Sequence, residues 1–367
     1  MTQPVNRRFD HLEGPVAVAM SGGVDSAVTA ALLLQAGVSI FGVHMTVRGD
    51  LAPEQTTIFH DARRIADHLG IALYGVDLRE IFRRQILDPF AEAYRCGRTP
   101  NPCARCNPTI KMGALFEWAR TNHGARTIAT GHYVRVAPPE SDRRWRLLRG
   151  VDPKKDQSYY LSRLSQEQLS RLVTPLGAWT KDQTRAEARR LGLPAPQGHE
   201  SQDICFVPEG DYKEFLEAFC GAQLAGAGDI VDDAGRKVGR HRGAWRYTIG
   251  QRRGLGVSAS EPLYVVDLDG PANRVVVGPK AQTLSDGLIV TDLNYVSMAP
   301  SQTPFACHAQ IRYRHRAASV RVEPLDAPAT RARVRFDEPQ SAITPGQVVA
   351  FYDGDRLLAG GWIAERD

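Results

Sequence analysis

The sequence predicts an α/β protein in three parts. A Rossmann-like domain on a parallel, doubly wound sheet is followed by a small α+β domain and a C-terminal β-barrel. Three observations carry this prediction. Over the first ~135 residues short apolar runs alternate with segments of helical period, the pattern of successive βαβ units. From about residue 220 the texture changes to short alternating runs punctuated by Gly and Pro, as in small all-β modules. A chain of 367 residues also exceeds what one hydrophobic core usually absorbs. The parts divide at 1–215, 216–285 and 286–367.

The elements follow in order. VAVAM (16–20) is a short buried strand, and SGGVDS leads from it into the apolar helix AVTAALLLQAG, stopped at Gly37. SIFGVHMTV (39–47) is the second strand. TIFHDARRIADHLG (57–70) has helical period, with Ile58, Ala62, Ile65, Ala66 and Leu69 on one face. IALYGVDL (71–78) is the third strand, a helix is expected over 108–123, and ARTIATGHY (125–133) supplies the fourth strand. Residues 134–150 form an Arg-rich hairpin, and a helical stretch follows at 165–173. TKDQTRAEARRLGLP (180–194) has a capping-box pattern at Thr180 and Gln183 and a stop at Gly192. Strand-like runs then appear at 263–269, 274–278, 306–315, 329–337 and 347–363, the last with an Asp-Gly turn.

Composition excludes several classes. The N-terminus lacks the apolar stretch of a secretory signal, and the run AVTAALLL (27–34) is far shorter than a membrane span. A soluble, cytoplasmic protein without membrane contact is expected. Six cysteines in a cytosolic chain of this length are not a disulfide framework. Of the 46 basic residues 39 are arginine, the side chain suited to flat, bidentate phosphate contacts, although a GC-rich genome raises its frequency too.

SGGVDS (21–26) lies between a buried strand and an apolar helix. Two glycines let the backbone approach a phosphate, and the loop N–H groups with the helix N-terminus supply positive potential. Ser21 and Ser26 add hydroxyls, and Asp25 offers a carboxylate to Mg²⁺. No GxxxxGK[ST] occurs anywhere, so this is not a Walker loop. SGGxDS after the first strand resembles the PP-loop ATP pyrophosphatases, which cleave ATP between the α- and β-phosphates. That resemblance implies ATP chemistry without naming a substrate.

The second chemical signal is NPCARCN (101–107). A structural zinc site commonly needs two CxxC pairs and only one is present. The motif follows a Pro-containing loop instead of opening a helix directly after a strand, so a thioredoxin-type reading is disfavoured. Cys205, in HESQDICF (199–206), is the distant partner the motif would need, whereas Cys220 and Cys307 sit in apolar segments and read as structural.

A PP-loop, a loop cysteine beside Asn-Pro and a distant SQD-x-C cysteine together resemble the tRNA-specific 2-thiouridylases, the MnmA family. GRTPNP (97–102), ATGHYVR (129–135), KDQSYYL (155–161), ESQDICF (200–206), YTIGQRRGLG (247–256), IRYR (311–314) and TPGQ (344–347) resemble that family's blocks in order. The resemblance implies formation of 2-thiouridine at the wobble position of tRNA. ATP would be held by Ala19, Met20, Ser21, Gly22, Gly23, Val24, Asp25 and Ser26, with Met45 and Gly131. Cys205 would carry sulfur as a persulfide and Cys106 would be its partner nucleophile, a transient Cys106–Cys205 disulfide forming as sulfur leaves. Thiolate character at Cys106 would come from a helix starting just after it.

By the same resemblance Asn101, Pro102 and Cys103 line the target base. His132, Lys155, Asp156, Gln157, Arg312, Tyr313 and Gln347 touch the tRNA. Much of the family has aspartate, the acid/base group, where this chain has Cys103. Three readings stay open: persulfide chemistry with an unusual neighbour, a [4Fe–4S] cluster on Cys103, Cys106 and Cys205, or zinc with His199 as fourth ligand. The sulfur donor would be a cysteine desulfurase or a relay protein, and the tRNAs those for Lys, Glu and Gln. RKVGRHRGAWRYTIGQRR (236–253) interleaves seven basic residues with Trp245 and Tyr247, suiting a surface that tracks a backbone and stacks bases. A second basic stripe runs over 311–335. Two rivals remain: a PP-loop ligase, which needs no cysteine pair, and a tRNA-binding protein with a vestigial ATP loop.

Overall fold

A computed structural model describes residues 9, 12–140, 143–196, 204–207 and 211–367. Strands β1 (Val16–Ala19), β2 (Ile40–Thr46), β3 (Leu73–Asp77), β4 (Thr127–Ala129) and β7 (Leu172–Val173) form a parallel sheet in the order β3-β2-β1-β4-β7. Alternation along β1 sends Val16 and Val18 into one apolar cluster and Ala17 into another, so the sheet is covered on both faces. The predicted doubly wound sheet is therefore present.

Helix α1 (Val24–Gln35) follows the SGGVDS loop and is buried from Ser26 to Leu33, which accounts for its apolar character all round. Helix α2 (Thr57–Leu69) is capped at both ends. The Thr56 hydroxyl accepts from the Phe59 N–H at 3.2 Å, and Gly70 takes a left-handed φ of 68°. Its inward face is Phe59, Ala62, Ile65 and Ala66. Ile58, expected inside, is 55% exposed and borders a cavity described below. Helical period alone does not choose between Ile58 and Phe59; burial of the larger ring does.

The cysteine-bearing helix begins earlier than expected. It starts at Pro102, not near Pro108, and runs on through residues 107–115 to His123. The Asn101 side-chain oxygen accepts from the Ala104 N–H at 3.1 Å, and Pro102 occupies the first helical position. Asn-Pro is thus an N-cap and a first-turn proline, so the helix expected over 108–123 takes in the cysteine motif as well. Cys103 and Cys106 consequently lie inside the first turns. The helix Lys181–Arg190 has the expected capping box between Thr180 and Gln183, and Gly192 follows it at φ 59°.

The C-terminal region closes into a barrel. Strands β12 (Leu284–Tyr295), β15 (Ala332–Ser341), β14 (Ala318–Pro324), β13 (Phe305–Gln310), β16 (Val348–Asp353) and β17 (Arg356–Arg366) pair in that order, all antiparallel, and β12 pairs back onto β17. The predicted hairpin, β5 (Val134–Ala137) with β6 (Arg146–Arg149), is present but pairs with β17, so the first domain donates two strands to the barrel sheet. Between them lies a four-stranded sheet, β10 (Tyr264–Asp269), β11 (Arg274–Gly278), β8 (Gly228–Val231) and β9 (Lys237–His241). Among the described residues no helix is long and apolar enough to cross a membrane.

Candidate active site

In the parallel sheet the strand order reverses between β1 and β4, where chains leaving the carboxyl ends diverge and leave a crevice. The SGGVDS loop fills one side of it. Gly22 has φ 76°, a conformation costly for a residue with a Cβ. The Ser26 hydroxyl donates to the Gly23 carbonyl at 3.0 Å and accepts from the Ser21 N–H at 3.2 Å, so the loop is tied across its own mouth. Gly131, just beyond β4, closes from the other side: a Cβ there would lie 2.9 Å from the Asp25 Cβ and 3.1 Å from the Ser26 nitrogen. Only glycine permits that approach.

Asp25 is not open to a cation as it stands. Lys181 donates to both of its carboxylate oxygens, at 2.7 and 2.8 Å, and the Tyr133 hydroxyl lies 2.7 Å from one of them. Tyr133 also stands 3.0 Å from the Thr184 hydroxyl, on the same helix as Lys181. Mg²⁺ on Asp25 therefore does not fit without loss of this ion pair. Lys181 and Arg185, one turn apart, both face the crevice opposite the loop. Neither was singled out in the sequence, because their distance from SGGVDS along the chain hides the pairing.

The crevice opens into a cavity of ≈ 800 Å³ that reaches well beyond the loop. Ala19, Met20, Ser21, Gly23, Val24, Asp25, Ser26, Met45 and Gly131 line it; Gly22 is buried beneath. Cys205, His132, Lys155, Gln157 and Tyr313 line it too. Tyr313 stacks on Tyr160 with ring centroids 4.7 Å apart, bringing a barrel residue against the first domain. Asn101, Pro102, Cys103, Cys106, Asp156, Arg312 and Gln347 do not line the cavity. Asp156 is a buttress, accepting from Arg149, Gly150 and Ser158. Arg312 is exposed and donates to the Ser341 carbonyl.

All six cysteines are free thiols. Cys106 is buried and Cys103 half-buried, and desolvation pushes their pKa values up to about 12 and about 11 respectively. Burial in the cavity wall also raises Cys205, whose sulfur-bearing residue is otherwise exposed. The thiolate character expected at Cys106 is therefore not a property of this arrangement: the helix begins ahead of it and burial outweighs the dipole. Lys111 opposes the shift at all three cysteines and helps hold His132 neutral. It follows Cys106 by five residues, about 140° away in α register. Residues 107–115 instead wind in π register, which brings positions five apart toward one side. His132 is buried, its Nδ1 2.8 Å from the Thr130 hydroxyl, and burial holds it well below the usual histidine range.

Three family models match in chain order. A tRNA methyl transferase HUP domain covers residues 14–209, a tRNA methyl transferase PRC-barrel domain 213–279, and an aminomethyltransferase beta-barrel domain 285–363. The chain is 46% identical over 359 residues to a tRNA-specific 2-thiouridylase MnmA of Geotalea uraniireducens, covering 95% of this chain and 94% of that protein. It is 48% identical over 361 residues to the protein of that name from Geobacter metallireducens, covering 95% and 96%. The chain belongs to the MnmA family of tRNA-specific 2-thiouridylases. Among solved structures, the U34-tRNA thiolase NcsA from Methanococcus maripaludis with its [4Fe–4S] cluster is 18% identical, covering 52% of this chain and 61% of that one. Its TM-score of 0.33 is too low to bear on chemistry here.

Two sequence-based expectations meet a different arrangement. Among the described residues no group of three His, Cys, Asp or Glu is placed to hold a metal ion, so Cys103, Cys106 and Cys205 do not fit a cluster as they stand. His199, the proposed fourth zinc ligand, lies outside the described residues, as do 200–203 of the ESQDICF block. The basic segment 236–253 also changes character. Trp245 and Tyr247 are buried, the Trp245 indole donating to the Ala225 carbonyl, so neither is a base-stacking surface. Interleaving with charge misled because the aromatics point inward while Arg240, Arg242, Arg252 and Arg253 stay exposed.

Proposed function

We propose that the chain is an ATP-dependent sulfurtransferase that forms 2-thiouridine at the wobble position of tRNA. The observation that carries the reading is the shared cavity: the nucleotide loop and Cys205 open onto one space. ATP bound at residues 19–26, Met45 and Gly131 gives its α-phosphate to the uridine C2 oxygen and releases pyrophosphate. That converts a poor leaving oxygen into AMP. Lys181 and Arg185 supply the positive charge opposite the loop that a Walker lysine would give elsewhere. Mg²⁺ would travel with the phosphates, and no step depends on its sitting at Asp25.

Sulfur arrives on Cys205 as a persulfide from a cysteine desulfurase or relay protein. Its terminal sulfur attacks C2, the C–O bond breaks and AMP leaves, giving a C2–S–S–Cys205 adduct. The Cys106 thiolate then attacks the Cys205 sulfur. The S–S bond breaks toward C2, leaving the thiocarbonyl and a Cys106–Cys205 disulfide. The transferred sulfur is reduced by two electrons and the two thiols are oxidised by two; a dithiol reductant resets the pair. Cys103 stands where much of the family has an acid/base carboxylate, and with its thiol protonated at neutral pH it serves as proton donor.

The wobble base must leave its loop to reach C2, at a cost of a few kcal/mol. Lys155, Gln157, His132 and Tyr313 line the cavity that would receive it, and exposed Arg312, Arg240, Arg242, Arg252 and Arg253 suit its phosphates. The tRNAs for Lys, Glu and Gln are the expected substrates.

The test uses iron-free protein, unmodified tRNA, ATP, Mg²⁺ and a persulfide donor without oxygen. Nucleoside mass spectrometry should find 2-thiouridine with one AMP released per thiolation. Product that forms only after iron and sulfide are restored would replace the persulfide route with the cluster. Wild-type protein that cleaves ATP to AMP and pyrophosphate without forming 2-thiouridine would favour an amide-forming ligase.

A further inference from the structure

The turn between β15 and β16, TPGQ (344–347), reaches out of the barrel to the loop that precedes the cysteine-bearing helix. The Gln347 side-chain nitrogen donates to two successive carbonyls, Thr99 at 3.0 Å and Pro100 at 3.2 Å. The Thr99 N–H donates back to the Pro345 carbonyl at 3.0 Å. Gly346, at φ 93°, sits so close that a Cβ would lie 3.0 Å from the Thr99 carbonyl oxygen. One residue further on, the Val348 carbonyl accepts from the buried Tyr159 hydroxyl at 2.8 Å. The turn itself is fastened to the barrel wall, since the Gly346 N–H donates to Ile363 and the Ile363 N–H to Gln347.

We propose that Gln347 is a positioning residue through which the barrel sets the start of the helix carrying Cys103 and Cys106. Thr99 and Pro100 lead directly into Asn101, whose side chain caps that helix at Ala104. A shift of the clamped carbonyls therefore moves the cap, and with it the first helical turn. The barrel thus does more than hold tRNA. Its seating on the first domain decides where the nucleophile stands.

The inference rests on the sulfurtransferase reading for its kinetic consequence but not for its structural one. Two variants of the full chain test both: Gln347→Met, which keeps length and apolar stem without the donor, and Gln347→Glu, which turns a carboxylate toward the two carbonyls. Hydrogen–deuterium exchange, run without tRNA or ATP, should show protection of 98–104 falling about fivefold or more in Gln347→Met and further in Gln347→Glu. Protection elsewhere in the barrel should hold. In thiolation assays kcat at saturating tRNA should fall roughly tenfold. Unchanged protection at 98–104 in both variants overturns the clamp. A rise in KM for tRNA with kcat intact overturns it too, and makes Gln347 a nucleic-acid contact. Should wild-type protein make no 2-thiouridine, the exchange result still decides the clamp.

Discussion

At the nucleotide end of the cavity the side chains are already paired with one another: Ser21 with Ser26, and Asp25 with Lys181 and Tyr133. At the sulfur end three thiols and a neutral histidine share the ammonium of Lys111, which forms no hydrogen bond or ion pair among the described residues. One end is preorganised and the other is held short of reactivity. The difference suits a reaction whose two halves must occur in order. On the proposed reaction, phosphates would meet a finished cradle, whereas protonated thiols would wait for an activated base and a delivered sulfur.

The sharpest way to break the comparison is to remove sulfur chemistry and ask whether nucleotide chemistry survives. Cys205→Ser and Cys106→Ser should each lower 2-thiouridine formation at least about 1,000-fold, while tRNA-dependent release of pyrophosphate continues, since adenylation precedes any attack by sulfur. Loss of both activities together would mean that the two ends are not separable. Gly131→Ala strikes the other end. Its methyl would press on the Asp25 and Ser26 backbone, and a cost of about 2 kcal/mol should raise KM for ATP roughly 30-fold. Alkylation of Cys205 should be untouched.

The thiols carry their own pH signature. Because the Cys106 and Cys103 pKa values are raised, both are protonated at neutral pH. Reactivity toward iodoacetamide should climb about tenfold per pH unit past pH 9, levelling only near pH 11 for Cys103 and pH 12 for Cys106. Raised thiol pKa values also mean that their contribution to folding is intact below the unfolded value and is lost as pH rises toward the folded one. A plateau near pH 7 would show the sulfur end to be activated at rest, and the contrast would fall. The smallest effect is expected from Lys181→Met. Asp25 is partly exposed, so losing its partner should raise KM for ATP only about fivefold, read as a weaker dependence of AMP release on nucleotide concentration.

Legibility followed locality. The SGGVDS loop and its strand and helix lie within twenty residues, so their geometry was readable as written. The capping boxes and the Gly192 stop were readable for the same reason. Asn101-Pro102 is local too, yet the same dipeptide opens a turn or caps a helix according to what packs beyond it. Trp245 and Tyr247 failed for a related reason: spacing among arginines says nothing about which way a ring points.

By itself the sequence determined the parallel sheet with its phosphate loop, the change to β structure after the middle of the chain, and the pair of cysteines worth watching. Those depend on periodicity and on glycine and proline chemistry, which act between near neighbours. Only the tertiary structure decided that Lys181 answers Asp25, that Lys111 faces the thiols from a π-wound turn, that the 134–149 hairpin joins the barrel, and that Gln347 holds the loop before Cys103. Except for Lys111 and the two cysteines on its own helix, each joins groups far apart along the chain, and no local propensity encodes a contact that exists only once separate cores have packed together.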